Sequence, residues 1–431
     1  MKNIAYHTSF ENFFRKLFHY FRTLPEESLP VEPQYAPYAQ QKNEHGFNLI
    51  NLPDFRLLIE RHFNEFSAWK EYSELSDNVI LMGQYGQVWN DKDGSHYKLN
   101  YIPSVVHTLY GLFNNSFRYK KKIADDFYAQ VESCLYEEDW IFSICAPVYN
   151  LELEQGTAEI TGESANLRLK KIDRNDLLLF VPSVSHHGFG VNAYTPLLRT
   201  MIVTEESHKK GEPSQIGEET QRLFRRVVAA LSIHQRQKFE LGPFYAKPKN
   251  FWPFLGGTLV AYMPDEIHTH HENKRMGRKD IAKFRSFWRV YEPAVSKNAW
   301  IELASQRMLR LFYEMRQEDS IVDMMTILEI LYLPESDAEL KYRLSTRCAT
   351  VLAPTFDLRK EVYDIVKLSY DVRSNIVHSG AVASGTSKKL LKAGLNLHDL
   401  CMKLQEYIYI SLETFARNPS LRNQLEALVL Q

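Results

Sequence analysis

The chain has 431 residues, 44% of them hydrophobic and 24% charged, with a formal net charge of −1. This is globular composition at a length suggesting roughly two or three domains, and the near-zero charge excludes a global positive field, so any polyanion must be held by a local patch. Four cysteines, Cys134, Cys145, Cys348 and Cys401, lie far apart with no C-x-x-C spacing, which favours reduced thiols in the cytoplasm over a disulfide framework or a zinc site.

The amino-terminal stretch MKNIAYHTSFENFFRKLFHYF carries charges throughout and lacks the uninterrupted apolar core of a secretory signal. No apolar run approaches the roughly 20 residues of a membrane span. A cytoplasmic protein without membrane contact is expected. Residues 8–23 read as an amphipathic helix, with Phe10, Phe13, Phe14, Leu17, Phe18 and Phe21 at helical spacing. Pro25, Pro30, Pro33 and Pro37 then forbid helix and predict an extended connector. A second helix follows Asp54, with Phe55, Leu58, Ile59, His62, Phe63 and Phe66 on one side. The stretch NVILMGQYGQVWNDKDGSHYKLNYI reads as a hairpin turning at Asp93–Gly94.

From about Ile141 apolar and polar residues alternate in short runs, Leu151/Leu153, Ala158/Ile160 and Leu167/Leu169, with turn signals at Gly156 and Gly162. Antiparallel strands with one wet face follow from that pattern. LLRTMIVT and GTLVAYM read as further strands, and EETQRLFRRVVAAL between them as a helix with Leu223, Val227 and Leu231 on one stripe. Beyond about Lys283 the strand signals stop, and five helices are expected at 299–316, 319–333, 337–352, 357–377 and 387–416. Their short connections favour antiparallel neighbours in a bundle. The fold class is therefore α+β: a mixed α/antiparallel-β amino-terminal region followed by an all-α bundle. The expected divisions are 1–40 (helix and Pro-rich connector), 41–295 (an α+β regulatory or sensor region) and 296–431 (the helical domain).

SYDVRSNIVHSG, Ser369 to Gly380, places Arg373 and His378 five residues apart near the end of the fourth of these helices, with Asn375 between them and Gly380 as a helix stop. An R-x4-H string occurs by chance on the order of once in a chain of this length, so the string alone is weak. Residues five apart on a helix lie about 140° round and about 7.5 Å along. Ser374 and His378 therefore share a stripe, and a long Arg373 arm can reach a phosphate held near the imidazole. Such a site is shallow, and a second copy of the helix across a two-fold axis would complete it. The chemistry available to the pair is RNA cleavage without a metal. Imidazole exchanges protons near pH 7 without help, the ribose 2′-OH attacks the adjacent phosphate, and a guanidinium stabilises the developing charge. The bland alternative is a surface Arg and a surface His suiting a helix C-terminus.

The flanking sequence alters that balance. MMTILEILYLPESDAELKYRLSTRCATVLA, followed by a helix ending VKLSYDVRSNIVHSG, resembles the Apea-like branch of the HEPN superfamily. The elements that match are LEILY with Glu329, AELKYRLSTRCA with Glu339, Arg343 and Arg347, and the R-x4-H at Arg373 and His378 followed by Ser-Gly, over roughly residues 299–415. The resemblance implies an all-α HEPN bundle that forms homodimers or larger homo-oligomers. It also implies a toxin-type endoribonuclease of antiphage defence or abortive infection, acting on RNA (tRNA by family analogy). Arg373, His378 and Asn375 would be its catalytic residues. Family members often place Asn directly after the Arg, whereas here Ser374 stands there and Asn375 follows, which leaves the role of Asn375 open. By analogy the amino-terminal region senses a phage-derived trigger or holds the nuclease in check.

Other residues carry weaker signals. Glu329 interrupts an apolar run and needs a partner if buried, for which Arg347 is the expected one, as a structural ion pair. Glu339, Arg343 and Arg347 step by four along one helix face and read as a salt-bridged stripe, with Arg343 as an RNA contact the lesser alternative. Lys274, Arg275, Arg278 and Lys279, with Lys283 and Arg285, form one basic cluster and Arg118 with Lys120–Lys122 another, the latter interleaved with Phe117 and Tyr119. Clustered charges of this kind neutralise phosphates and aromatic rings stack bases, though a charge run is usually a solvated face. His268, His270 and His271 with Asp265 and Glu266 read as a polar loop, with metal binding the lesser alternative. No P-loop, G-x-G-x-x-G or H-E-x-x-H occurs, and no metal or cofactor is expected. The competing functions are a non-catalytic dimeric RNA-binding or scaffold module and a metal-dependent phosphoesterase using the His268 cluster.

Overall fold

A computed structural model describes residues 3–41, 44–86, 95–136, 139–160, 166–173, 176, 199–209, 217–248, 259–262, 273–311, 316–334 and 339–429. The chain mixes helices with antiparallel strands, and its buried apolar side chains form two clusters, Tyr6 to Val131 and Phe142 to Leu425. Among the described residues no helix is long and apolar enough to cross a membrane.

Helix α1 (Ile4–Thr23) organises the first cluster. The Asn3 side chain accepts from the Tyr6 N–H and satisfies one free amide of the first turn. Tyr6, Phe10, Phe13, Phe14, Leu17, Phe18 and Phe21 recur every three or four residues and are all buried. They share a core with α2 (Phe55–Phe66), α3 (Lys70–Gly86), α4 (Ser95–Leu112) and α5 (Lys121–Tyr136). Ring pairs such as Phe10–Phe14 at 4.7 Å and Phe18–Phe113 at 5.2 Å fill it.

Two expectations need correction here. The Pro-rich stretch is extended but is not a connector. It forms strand β1 (Val31–Gln41), paired antiparallel with β2 (Glu44–Pro53) from Val31 opposite Pro53. Pro33 and Pro37 are four residues apart, so their missing N–H groups point to the same edge, and a two-stranded ribbon tolerates proline there. The hairpin expected around Asp93–Gly94 is replaced on both flanks by α3 and α4, and the turn itself lies outside the described residues. Tyr72 and Leu75, three apart and both buried, set the helical register upstream of the apolar run that resembled a strand.

The second cluster begins at the sheet. Its strands are β3 (Asp139–Tyr149), β4 (Leu151–Leu153), β5 (Thr157–Glu159), β6 (Arg168–Lys171), β7 (Thr200–Lys209), β8 (Glu240–Leu241), β9 (Phe244–Pro248), β10 (Leu259–Tyr262) and β11 (Lys274–Met276). The larger sheet runs β10-β9-β3-β7-β6-β5 with β8 also on β3, every pairing antiparallel. Ile144, Ala146, Val148, Leu169 and Ile202 turn inward against α6 (Glu218–Gln235), as period-two alternation requires.

Among the elements the sequence reading missed are β11 and the helix after it. β11 pairs in parallel with β4, which only the assembled fold brings beside it. Helix α7 (Arg278–Lys297) takes in most of the basic cluster and buries Ile281, Phe284, Phe287, Trp288, Tyr291 and Val295 on its other face. The charges masked a regular apolar stripe. The helical part continues with α8 (Ala299–Arg310), α9 (Gln317–Tyr332), α10 (Leu340–Leu352), α11 (Phe356–Ser379), α12 (Ser384–Lys392), α13 (Leu397–Arg417) and α14 (Leu425–Val429). The single helix expected at 387–416 is two, because Gly394 adopts φ 70° and Asn396 caps α13 through the Asp399 N–H at 2.9 Å. One apolar cluster runs from the sheet through α6 and α7 into these helices. The core thus divides between Val131 and Phe142, whereas the expected lines fall at 40/41 and 295/296.

Candidate active site at the end of helix α11

Helix α11 turns Val362, Ile365, Val366, Ser369, Val372 and Ile376 inward, a stripe that fixes which residues face out. The helix stops at Gly380, whose φ of 72° lies in the left-handed region and whose N–H donates to the Ile376 carbonyl at 2.8 Å. A Cβ at Gly380 would meet nothing within 4 Å, so backbone conformation rather than space calls for glycine.

Arg373 leaves this helix towards α9. Its Nη2 lies 3.8 Å from Glu329 Oε2, and its guanidinium sits 5.9 Å from the Tyr370 ring. The Nε is buried with no hydrogen-bond acceptor among the described residues. A buried donor in that state costs about 1–3 kcal/mol. Burial pushes the Glu329 carboxyl above its usual range, and the Arg373 charge only partly offsets this. The expected pairing of Glu329 with Arg347 is therefore wrong. Buried Arg347 donates to the Tyr332 carbonyl at 2.8 Å and to Glu426 Oε1 at 3.0 Å. Helix α9 presents Glu329 to α11, while Arg347 on α10 reaches the end of α9 and α14.

His378 stands in the last turn of α11, exposed, and has no hydrogen-bond partner among the described residues. Ser374 lies one turn before it. Asn375, which the resemblance counts among the catalytic residues with its role left open, has its side-chain oxygen engaged within the fold. Its Oδ1 accepts from Thr386 Oγ1 at 2.7 Å and from the Ala383 N–H at 3.3 Å, tying the end of α11 to the start of α12. Asn375 holds the turn that carries His378. On the outer side, Asp371 accepts from Lys341 and, at 3.3 Å, from Lys389. Burial pulls the Asp371 carboxyl upward, but the two lysines outweigh it and hold it below the usual range.

The other expected contacts are dispersed. Arg343 is paired with Glu426 at 2.9 Å. Lys274 and Arg275 belong to β11, where Arg275 pairs with Glu152 at 3.2 Å. Arg278 and Lys279 open α7, which packs on α6, α8 and α13, whereas α11 packs on α9, α10, α12 and α13. In the first basic cluster Lys121 is paired with Glu11 and with Asp125, and Phe117 and Tyr119 pack on Phe18 as part of the core. Those rings are not a stacking platform. His268, His270 and His271 lie outside the described residues. Among the described residues, His7, Glu11 and Asp125 bring ligand atoms within 4.8 Å of one another, but Lys121 already neutralises both carboxylates.

The sequence reading missed a groove of about 800 Å³ beside Arg373, lined by Lys341 and Tyr342 of α10 and by Tyr363, Lys367 and Tyr370 of α11. The spacing of 363, 367 and 370 is a helical stripe that is polar in one member and aromatic in two, so it reads equally as core or surface until α10 is placed. No family model, no curated protein and no solved structure matches this chain.

Proposed function

We propose that the C-terminal helices form a HEPN-type, metal-independent endoribonuclease, with Arg373 and His378 as its working pair. The observation that carries this reading is the contrast between the two side chains on one helix. Among the described residues the Nε of half-buried Arg373 has no acceptor, and the exposed His378 side chain has no partner at the same helix end. One group is positioned to hold a phosphoryl oxygen and the other to exchange a proton with solvent-side chemistry.

In the reaction His378 takes the proton of a ribose 2′-OH, and the 2′ oxygen attacks the adjacent phosphorus. The P–O5′ bond breaks, leaving a 2′,3′-cyclic phosphate, and the 5′ oxygen leaves as a 5′-OH after receiving a proton from an imidazolium. Arg373 neutralises charge building on the phosphoryl oxygens. The openness of His378 favours a homodimer in which a second copy of α11 closes the cleft and brings the second imidazole. Cleavage of host or phage RNA in the cytoplasm would arrest growth during infection. The amino-terminal unit, with its own core, is then the element that senses a trigger or restrains the nuclease.

A second reading, a non-catalytic dimeric HEPN module that only binds RNA, is favoured by the Glu329 carboxylate beside Arg373 and by the engagement of Asn375 in the brace. Induced expression of the wild type beside His378→Ala, with the ends of total RNA mapped, separates the two. Fragments with 5′-OH ends in the wild type alone support the nuclease. RNA that stays intact with both, while the purified protein binds RNA, supports the module.

A further inference from the structure

We propose that the groove between α10 and α11 is a subsite for unpaired RNA, in which Tyr342, Tyr363 and Tyr370 stack bases while Lys341 and Lys367 hold phosphates. The inference rests on the nuclease reading for the direction of the strand, and it names the substrate as single-stranded rather than duplex.

Three features of the groove point to nucleic acid. One ring stands well out of the wall, for Tyr342 is 56% exposed, and it meets half-buried Tyr363 in a T-shaped pair at 6.4 Å, with half-buried Tyr370 further along the groove. Its cations are in excess. Lys367 sits 5.3 Å from the Tyr363 ring, with no carboxylate within 4.0 Å among the described residues, while Lys341 and Lys389 share the single Asp371 carboxylate. Its course is directed, because Tyr363, Lys367, Tyr370, Ser374 and His378 occupy one sector of α11 along about 22 Å of helix. A strand lying in the groove therefore arrives at His378 after passing Tyr370, the ring on which the Arg373 guanidinium rests.

Single-stranded RNA fits these features better than the other polyanions. Stacking on tyrosine needs a base whose face is free, which a duplex does not offer. Lysines serve phosphates as point charges, spaced here between rings rather than in a continuous row. Glu339 at the rim would repel a phosphate but can accept from an exocyclic base amino group, so it suits the base side of the strand.

The test is fluorescence anisotropy with a fluorescein-labelled single-stranded RNA of mixed sequence and the full chain carrying His378→Ala, which keeps the probe whole. Adding Tyr342→Ala should weaken binding by roughly 5- to 100-fold, and Tyr342→Trp should restore it. Lys367→Gln should lower the slope of log affinity against log salt by about 0.7, the loss of one phosphate contact on a single strand. The same sequence as a duplex should bind without sensitivity to Tyr342. The proposal is overturned if Tyr342→Ala binds single strands as its parent does, if the parent binds none, or if the duplex shows the same Tyr342 dependence. Cleavage is read separately from RNA ends. Tyr342-dependent binding by a wild type that never cuts keeps the groove and refutes the nuclease, and cutting without Tyr342-dependent binding does the reverse.

Discussion

Replacing Asn375 by Ala discriminates a positioning residue from a catalytic one. The substitution removes the acceptor of Thr386 Oγ1 (2.7 Å) and of the Ala383 N–H (3.3 Å). Thr386 is buried, so its hydroxyl loses a bond where water replaces it poorly, and that costs about 1–3 kcal/mol. The Ala383 amide opens α12 at the surface and recovers most of its bond from water. The expected destabilisation is therefore about 1–3 kcal/mol, read as a lower urea midpoint by tryptophan fluorescence, since buried Trp288 belongs to the same core. Asn375→Asp keeps the acceptor and should regain most of that stability. Cleavage, assayed well below the unfolding transition, should fall only partly in Asn375→Ala, because His378 remains on a loosened helix end. If Asn375→Ala were as stable as the wild type and as inactive as His378→Ala, the bracing role would be refuted and direct contact with the substrate restored.

Three further outcomes are expected. His378→Ala should lose cleavage while its unfolding free energy stays within roughly 0.5 kcal/mol of the wild type, because the side chain is exposed and makes no bond; a large loss of stability measured by urea titration would mean that the residue is structural. Arg373→Lys should cut at least about 100-fold more slowly, since an ammonium cannot reproduce the planar guanidinium fork, and single-turnover kinetics would reveal near-normal cutting if that reasoning is wrong. The folded protein holds the Glu329 proton more tightly than the unfolded chain does, so this group's contribution is fully present below the ordinary carboxylate range and is lost as pH rises through its raised pKa. Thermal melts across that window should therefore decline less in Glu329→Gln than in the wild type, and parallel curves would show that burial of this carboxyl does not govern its titration.

Much of the helical layout was legible in local sequence. Asp54 begins one helix and Gly380 ends another through bonds and dihedrals that involve only residues a turn away. The aromatic stripe of α1 and the inward stripe of α11 follow from the 3.6-residue period alone. Local signals failed where two patterns competed, as in α7, whose charges hid an apolar stripe, and in the stretch around Asp93–Gly94, whose flanks are helical.

The partners of the charged residues were not legible. Helical period fixes the angle at which Glu329, Arg347 and Arg373 leave their own axes, but not which neighbouring helix lies there. Packing decided that Glu329 meets Arg373 and that Arg347 meets Glu426, 79 residues away in sequence. The same holds for the parallel pairing of β11 with β4 and for the groove, whose two walls come from different helices. The R-x4-H string on α11 could be read from its own residues; its half-buried carboxylate, its brace and its tyrosine-lined approach exist only once distant segments share a core, because burial and proximity are properties of the assembled chain.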